Sequence, residues 1–290
     1  FCTLLQMTDT RAPLSEATMA AFWEEAWDKN QTGWKAFEVS KPFLKNVIET
    51  LRCVGSPGQY DGDDEMVVKT FISGKRVFVP LCGDTYAVRF FSDMGASLVV
   101  GVDLASAAIE SNLRNNFPSD DFTSEAVHLG DSVTRYDVRR SDAAVGSVGV
   151  QLFVASFTEV PVSELGPFDV VYDRASMVAL PPTLRESYVS TVVTSLAVGH
   201  RDAQETNSSH APLVILELAR RRPETRTQGP PFHLSTDEVV SLYSAAMAGS
   251  SQTPPRLYVV NDVEATAFLA EHQPVGPPMR FALYAIRFFQ

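Results

Sequence analysis

The sequence contains little cysteine, little positive charge and no long apolar segment. Its three cysteines, Cys2, Cys53 and Cys82, cannot all pair, and their spacing matches no zinc motif. We therefore expect reduced thiols and a cytoplasmic location. No stretch approaches the roughly 20 apolar residues that a membrane-spanning helix needs, so we expect no membrane partner. The histidines show no metal-ligand spacing, so no metal is expected.

The shortage of positive charge excludes a large class of partners. Lysine and arginine total 24 against 35 aspartates and glutamates, and the formal net charge is −11. A phosphate backbone would be repelled by this charge, so we expect no nucleic-acid partner. Hydrophobic residues make up 45% of the chain, which is enough for a full core. The composition therefore predicts a folded globular protein.

The N-terminal part of the chain has the apolar spacing of helices. A helix capped by Ser15 is expected to run to about Lys29, and a second is expected to follow Pro42. Their apolar faces would hold Met19, Phe22, Trp23 and Trp27, then Phe43, Leu44, Val47, Ile48 and Leu51. We treat residues 1–54 as an N-terminal helical segment and residues 55–290 as the main domain, with both parts forming one structural unit.

Farther along the chain the pattern changes to short apolar segments of strand length. Strands are expected at 76–80, 98–102, 148–154, 168–172, 213–218, 257–260 and 281–288. Helices are expected between them at about 85–94, 105–115, 184–197 and 235–248. This alternation predicts an α/β fold with a doubly wound, mostly parallel seven-stranded sheet. Irregular loops are expected at 55–65, 118–147 and 199–211.

Two candidate ligand-binding features follow the first two of these strands. The turn Pro80-Leu81-Cys82-Gly83 ends in a glycine, which would let a ligand approach the backbone closely. Asp103 ends the next strand, where a carboxylate can accept hydrogen bonds from both hydroxyls of a ribose. From spacing alone, an ordinary turn followed by a capping aspartate stays an open alternative.

The turn has too few glycines for a dinucleotide site. A pyrophosphate-binding turn uses three glycines to bring the phosphates against a helix N-terminus. Here Gly83 is the single glycine of the turn, and Asp84 stands where a phosphate would lie. A cofactor with a ribose and a base but no phosphate fits better, and S-adenosyl-L-methionine has that chemistry.

Four motif segments stand in a fixed order along the chain. They are Trp23 and Trp27 with Gly33-Trp34; Pro80-Leu81-Cys82-Gly83 with Val100-Gly101-Val102-Asp103; Tyr172-Asp173-Arg174-Ala175 with Val178-Ala179-Leu180-Pro181-Pro182, Arg185 and Tyr188; and Gly229-Pro230-Pro231-Phe232. Together they resemble the thiopurine S-methyltransferase family over roughly residues 20–245. The resemblance implies a Rossmann-like methyltransferase that uses S-adenosyl-L-methionine, with residues 1–54 covering the cofactor site.

The resemblance also implies roles for individual residues. The cofactor would be bound by Trp23, Trp27, Trp34, Leu81, Gly83, Asp103, Ala155, Ser156 and Arg174. The acceptor would be bounded by Trp34, Lys35, Pro230, Pro231 and Phe232. Arg174 and Asp173 are the expected catalytic residues. The arginine could stabilise an anionic acceptor, while the aspartate could orient the arginine side chain or a water molecule.

Each of these residues also has a structural alternative. Trp23 and Trp27, one helical turn apart, could be ordinary core residues. The neighbours Asp173 and Arg174 could form an ion pair of little consequence. The proline pair that begins at Pro230 could be only a stiff turn.

The reaction that the resemblance implies is transfer of a methyl group to the sulfur of a thiopurine or another thiol by in-line displacement. The expected partner is therefore a small-molecule thiol or related acceptor, and we expect a monomer. Thiol or halide methyl transfer and selenium or tellurium methyl transfer, both found in the same superfamily, are alternatives. A catalytically silent nucleoside-binding protein is the alternative outside this class.

Overall fold

The computed structural model describes residues 16–29, 32, 40–130, 132–142, 149–160, 164–196, 211–220, 230–248, 255–264 and 280–288. The helices are α1 (Glu16–Asp28), α2 (Ser40–Val54), α3 (Asp64–Ile72), α4 (Ala87–Asp93), α5 (Ser106–Asn116), α6 (Ser176–Ala179), α7 (Arg185–Ser195) and α8 (Thr236–Met247). The strands are β1 (Arg76–Pro80), β2 (Leu98–Asp103), β3 (Phe122–His128), β4 (Thr134–Arg140), β5 (Val150–Val154), β6 (Val170–Arg174), β7 (Leu213–Arg220), β8 (Arg256–Glu264) and β9 (Arg280–Arg287). A short 3-10 turn, Pro182–Leu184, precedes α7.

The strands form a nine-stranded sheet in the order β3-β4-β5-β2-β1-β6-β7-β9-β8. The central strands β5, β2, β1, β6 and β7 run parallel, and an antiparallel pair flanks them at each edge. The chain builds β1, β2 and β5 outward in one direction and then crosses back to β6 on the other side of β1. The predicted α/β, doubly wound fold is confirmed, and each predicted strand is present, but the sheet has two strands more than the predicted seven.

The additional strands, β3 and β4, correct the prediction that residues 118–147 form an irregular loop. They make an antiparallel hairpin that pairs with β5. The apolar alternation that signals a strand is weak here because most of β3 is exposed at the sheet edge. Polar cross-strand contacts replace it: Arg139 Nε donates to Thr123 Oγ1 at 3.2 Å, and Arg139 Nη2 lies 3.5 Å from Glu125 Oε2.

Two smaller boundary predictions were also wrong. The loop expected at 55–65 ends earlier, because Asp63 caps α3 by accepting a hydrogen bond from the Met66 amide at 2.9 Å. Strand β6 ends two residues later than the predicted 168–172, so Asp173 and Arg174 belong to the strand. Their side chains therefore point to opposite faces of the sheet.

The core consists of two apolar layers, one on each face of the sheet. Successive side chains of a strand alternate between faces, so Val77 and Val79 of β1 pack in the layer with α2, α3, α4 and α5. Phe78, between them, packs in the layer with α6, α7 and α8. β1 is buried along nearly its whole length, as is typical of a central parallel strand.

The two N-terminal helices pack in different places. Helix α1 contacts α5, whereas α2 packs against α3, α4, β8 and β9. Arg287 of β9 donates to the Val54 carbonyl at the end of α2 at 2.8 Å. The predicted division at residue 54 stays a prediction. Among the described residues, no helix has the length and apolarity to cross a membrane.

Candidate active site

A cavity opens at the carboxyl ends of β1, β2 and β6, where the strand order reverses. Open parallel sheets bind ligands at this point because the diverging connections leave a crevice. The cavity is lined by Met19, Trp23, Trp27, Val79, Pro80, Leu81, Cys82, Gly83, Asp84, Thr85, Tyr86, Val102, Asp103, Leu104, Ala155, Ser156, Phe157, Arg174, Ala175, Ser176, Ala179, Leu180 and Leu184. The ends of four strands, β1, β2, β5 and β6, and helix α1 thus contribute to one site.

The turn after β1 contains two residues with a positive φ. Leu81 has φ 43° and Gly83 has φ 52°, both in the left-handed region. A Cβ atom added at Gly83 would lie 3.1 Å from Cζ2 of Trp27. Because residue 83 is a glycine, the Trp27 indole of α1 can approach the turn. Leu81, Gly83 and Trp27, three of the predicted cofactor residues, therefore lie close together.

Asp103 ties the end of β2 to this turn. Its Oδ2 accepts a hydrogen bond from the Gly83 amide at 2.7 Å, and its Oδ1 accepts one from the Ala105 amide at 3.0 Å. Burial raises the pKa of Asp103 to about 6, although these backbone donors oppose the rise. Each carboxylate oxygen has a second lone pair, so the group can still accept hydrogen bonds from the cavity side.

Two sets of contacts, one polar and one apolar, fix helix α1 over the cavity. Glu24 Oε1 accepts a hydrogen bond from the Ser106 amide at the start of α5, at 3.1 Å. Met19 and Phe22 pack against Phe232, with Trp23 beside them. These contacts hold Trp23 and Trp27 at the cavity wall. Trp34 and Lys35 lie outside the described residues.

The wall that follows β5 contains two predicted residues and an apolar one. Ala155 and Ser156 line the cavity, as does Phe157, and all three are nearly buried. The Ser156 hydroxyl is engaged locally, because its Oγ lies 2.8 Å from Thr158 Oγ1. Leu104, which directly follows Asp103 at the end of the neighbouring strand β2, also lines the cavity. Leu104 and Phe157 give this end of the cavity an apolar character.

Arg174 reaches the cavity from the end of β6. Its Nε lies 3.6 Å from Glu217 Oε1 on β7, and its guanidinium lies 5.8 Å from the centre of the Phe43 ring. The side chain is 13% exposed. The residue borders the cavity, and a guanidinium in such a position can pair with an anion.

Asp173, the other predicted catalytic residue, does not line the cavity. It is completely buried, its Oδ1 accepts from the Ser176 amide at 3.0 Å, and its Oδ2 accepts from the Tyr188 hydroxyl at 2.6 Å. Burial raises the pKa of Asp173 to about 6. This position corrects the expectation that Asp173 stands beside the reacting groups. Strand alternation is the reason, because it places Asp173 on the face opposite Arg174.

The segment Pro230-Pro231-Phe232 lies behind the cavity wall. None of these residues is among the lining residues, but the Phe232 amide donates to the Val178 carbonyl of α6 at 2.7 Å. Arg185 of α7, fully buried, extends this connection. It donates to the carbonyls of Met177, at 3.0 Å, and His233, at 3.0 Å. The segment thus supports the wall and the α1 cover without facing the cavity itself.

Cys82 is a buried turn residue. Burial and the nearby Asp103 raise its pKa well above the ordinary value, so the thiol stays protonated. Its sulfur also lies close to Gly101 of β2, where an added Cβ would be 2.9 Å away. A buried and protonated thiol is a poor nucleophile, so the geometry does not favour a nucleophilic role for Cys82.

Comparison with known proteins decides the family. The family model described as thiopurine S-methyltransferase matches residues 66–260. The chain belongs to the thiopurine S-methyltransferase family. It is therefore an S-adenosyl-L-methionine-dependent methyltransferase, as the resemblance implied.

Bacterial relatives within this family match most of the chain. The thiopurine S-methyltransferase of Nitrosospira multiformis is 28% identical over 222 residues, covering 77% of this chain and 80% of the relative. That of Pseudomonas aeruginosa is 28% identical over 225 residues, covering 78% and 82%. Among solved structures, magnesium protoporphyrin IX methyltransferase from Synechocystis with bound SAH covers 93% of this chain and 99% of its own, with 10% identity and a TM-score of 0.47.

The described cavity residues fit the cofactor of this family. The cavity wall carries two carboxylates, Asp84 and Asp103, against the single guanidinium of Arg174 among the lining residues. A cofactor with a sulfonium and an ammonium group suits this excess of negative charge. Any residue larger than glycine at position 83 would fill the space beside Trp27. The apolar part of the cavity, at Leu104 and Phe157, suits a purine ring.

Several lining residues were missed by sequence reasoning. Leu104 and Phe157 directly follow predicted site residues, so extending each motif by one position would have found them. Met19 lies one helical turn before Trp23, and periodicity assigned it only to an apolar face. Ala179 and Leu180 belong to the third motif segment, but sequence reasoning assigned them no role, and the turn after β6 brings them to the cavity.

Proposed function

We propose that this methyltransferase transfers a methyl group to the sulfur of a thiopurine or another small thiol by in-line displacement. The observation that carries the proposal is that Arg174 shares one cavity with Gly83 and Asp103. A cation beside the cofactor residues suits an acceptor that is negatively charged when it reacts. An ionised thiol is such an acceptor, and it needs no strong general base.

In this proposal the protein's main tasks are alignment and exclusion of water. When bound, the cofactor supplies an electrophilic methyl group on a sulfonium. Asp103 accepts hydrogen bonds from its ribose, Leu104 and Phe157 enclose its base, and Trp23 and Trp27 close the cavity from the α1 side. Orienting two reactants in this way can contribute up to about 7–11 kcal/mol in good cases.

Arg174 and Asp173 have different tasks in this reaction. Arg174 stabilises the anionic sulfur of the acceptor. Asp173 acts as a positioning residue: it binds the Ser176 amide and the Tyr188 hydroxyl, and so fixes the turn that ends β6. Trp34 and Lys35 remain proposed acceptor contacts. Pro230, Pro231 and Phe232 also remain proposed acceptor residues, and Phe232 in addition contacts α6 and α1.

The proposal is tested in two steps with the full chain. Isothermal titration calorimetry with S-adenosylmethionine, S-adenosylhomocysteine and NAD should give binding of the first two alone. Methyl transfer from labelled cofactor is then measured with an aromatic thiol, a thiopurine, hydrosulfide, iodide and tellurite. We expect the aromatic thiol or the thiopurine to have the highest kcat/KM.

The outcomes separate the alternatives. Preference for iodide would favour halide methyl transfer, and preference for tellurite would favour the metalloid reaction. Cofactor binding without turnover of any acceptor would indicate a catalytically silent nucleoside-binding protein. An Arg174→Lys variant should lose more kcat/KM for ionised thiols than affinity for the cofactor, because lysine lacks the rigid fork of donors.

A further inference from the structure

A polar cluster that the sequence did not indicate lies beside the cavity, where β6, β7 and α2 meet. Arg174 and Glu217 are register partners on neighbouring parallel strands. Glu217 Oε1 lies 3.6 Å from Arg174 Nε. Its other oxygen, Oε2, accepts hydrogen bonds from Asn46 Nδ2 at 2.9 Å and from the Tyr172 hydroxyl at 2.8 Å.

This cluster holds the carboxylate of Glu217 in place from two elements. Burial and the neighbouring Glu217 raise the pKa of Tyr172 well above its ordinary value, so the hydroxyl keeps its proton and donates it. Asn46 donates from α2 on the same side. The Glu217 side chain is 26% exposed, and Glu217 is not among the cavity-lining residues. Glu217 therefore influences the cavity through its charge and its position next to Arg174.

We propose that Glu217 determines the acceptor selectivity of this site by discriminating against acceptors that carry a second negative charge. The inference rests on the proposed function, in which Arg174 faces the acceptor. A guanidinium with a carboxylate at this distance attracts an anion less strongly than a lone one, since like charges repel at short range. A thiolate with no other charge is accepted, whereas a thiol that also carries a carboxylate is disfavoured.

The test compares two aromatic thiols that differ by one carboxylate. For thiophenol and 4-mercaptobenzoate, kcat/KM is measured with the parent protein and with two charge-free variants, Glu217→Gln and Glu217→Ala. We expect the ratio of 4-mercaptobenzoate to thiophenol to rise on the order of tenfold in either variant, as removal of one nearby unit charge predicts. The dissociation constant of the cofactor should stay within about twofold, because Glu217 does not line the cavity.

Two further variants distinguish charge from structure. Glu217→Asp keeps the charge but shortens the side chain, so its ratio should stay near that of the parent. A purely structural role would make this variant at least as defective as Glu217→Gln. Glu164→Gln is the matched control, since Glu164 pairs with Arg135 at 2.7 Å outside the cavity lining. Its ratio should not change.

The outcomes separate this inference from the proposed function. Suppose that the parent methylates thiols and that the ratio of 4-mercaptobenzoate to thiophenol is unchanged in Glu217→Gln and Glu217→Ala. This result overturns the role of Glu217 and leaves the proposed function intact. A shift of equal size in Glu217→Asp also overturns the role of Glu217. If the parent binds cofactor but methylates neither thiol, the proposed function fails, and the selectivity role of Glu217 fails with it.

Discussion

Two strands bring an aspartate to the carboxyl edge of the sheet, β2 with Asp103 and β6 with Asp173. Burial raises the pKa of both to about 6. Backbone amides bind Asp103, and its carboxylate borders the cavity. A side-chain hydroxyl and an amide bind Asp173, which is completely buried and absent from the cavity lining.

The chain that follows each strand causes the difference. After β2 it runs directly into α5, and among the described residues Asp103 accepts hydrogen bonds from backbone amides of this connection and of the turn after β1. After β6, Ala175 takes a left-handed conformation with φ 65° and turns the chain into α6. Helix α7 then places Tyr188 on the carboxylate of Asp173. One aspartate is left for a ligand, and the other stabilises the turn.

The largest expected effect is on stability at the β6 end. Asp173→Ala should lower the free energy of unfolding by about 3 kcal/mol, because it leaves a buried hydroxyl and a buried amide without their charged acceptor. Urea denaturation measures this change. The cofactor dissociation constant of the folded variant should stay within about twofold.

A matched control for this variant is Asp93→Ala. Asp93 pairs with Arg89 on the surface of α4 at 2.9 Å, with 34% of its side chain exposed. Its removal should cost no more than about 0.5 kcal/mol. If Asp173→Ala instead leaves stability intact and abolishes cofactor binding, the contrast between the two strand ends is wrong.

At the β2 end we expect the effect on the ligand. Asp103→Ala should weaken cofactor binding by about 1.5–3 kcal/mol, the range for hydrogen bonds to a charged acceptor. Calorimetry measures the affinity, and the fold should survive. Glu24→Gln is the control, since it removes a neighbouring charge but keeps an acceptor for the Ser106 amide. Unchanged binding in Asp103→Ala would show that Asp103 is only a turn residue.

A smaller effect is expected from the hydroxyl that closes the β6 end. Tyr188→Phe should lower the free energy of unfolding by about 1.5 kcal/mol, because it removes one hydrogen bond to a buried carboxylate. Tyr243→Phe is the matched control. Within the described residues the buried Tyr243 hydroxyl has no hydrogen-bond partner, so its removal should be neutral or slightly stabilising. Equal losses of unfolding free energy in Tyr188→Phe and Tyr243→Phe would contradict the hydrogen bond from Tyr188 to Asp173.

The smallest effect is a pH dependence. Protonated Asp103 is a poorer acceptor, so cofactor affinity should fall as the pH drops through about 6, by less than tenfold between about pH 7 and 5.5. Asp103→Asn should abolish this slope, and Asp173→Asn should keep it. Folding stability depends on pH in the opposite direction to cofactor affinity. Because folding raises both pKa values above 3.8, the two groups favour the folded state at low pH, and this contribution is lost as the pH rises to about 6.

Sequence reasoning was accurate where local pattern and burial coincide. The central strands were found because strands buried on both faces form continuous apolar segments. Of the predicted cofactor residues in the described part of the chain, each lies on the cavity wall: Trp23, Trp27, Leu81, Gly83, Asp103, Ala155, Ser156 and Arg174. Their motifs mark strand ends, and strand ends of a parallel sheet meet at one edge. Their roles stay predictions.

The errors arose where position depends on distant parts of the chain. The hairpin β3–β4 is stabilised by edge pairing and polar contacts, which leave no apolar period in the sequence. Asp173 and Arg174 are neighbours in sequence, but a shift of two residues in the strand boundary and the alternation of its side chains separate their surroundings. Glu217 carried no signal because its partner is defined only by strand pairing.

The sequence by itself determined the family, the doubly wound sheet and the group of residues at its carboxyl edge, because those features follow from local periodicity and from motifs at strand ends. Only the tertiary structure decided which aspartate faces the cavity, that Phe232 supports the wall from behind, and that Glu217 lies beside Arg174. These depend on how elements far apart in the chain pack together, and no local pattern encodes the direction of a side chain across a packed sheet.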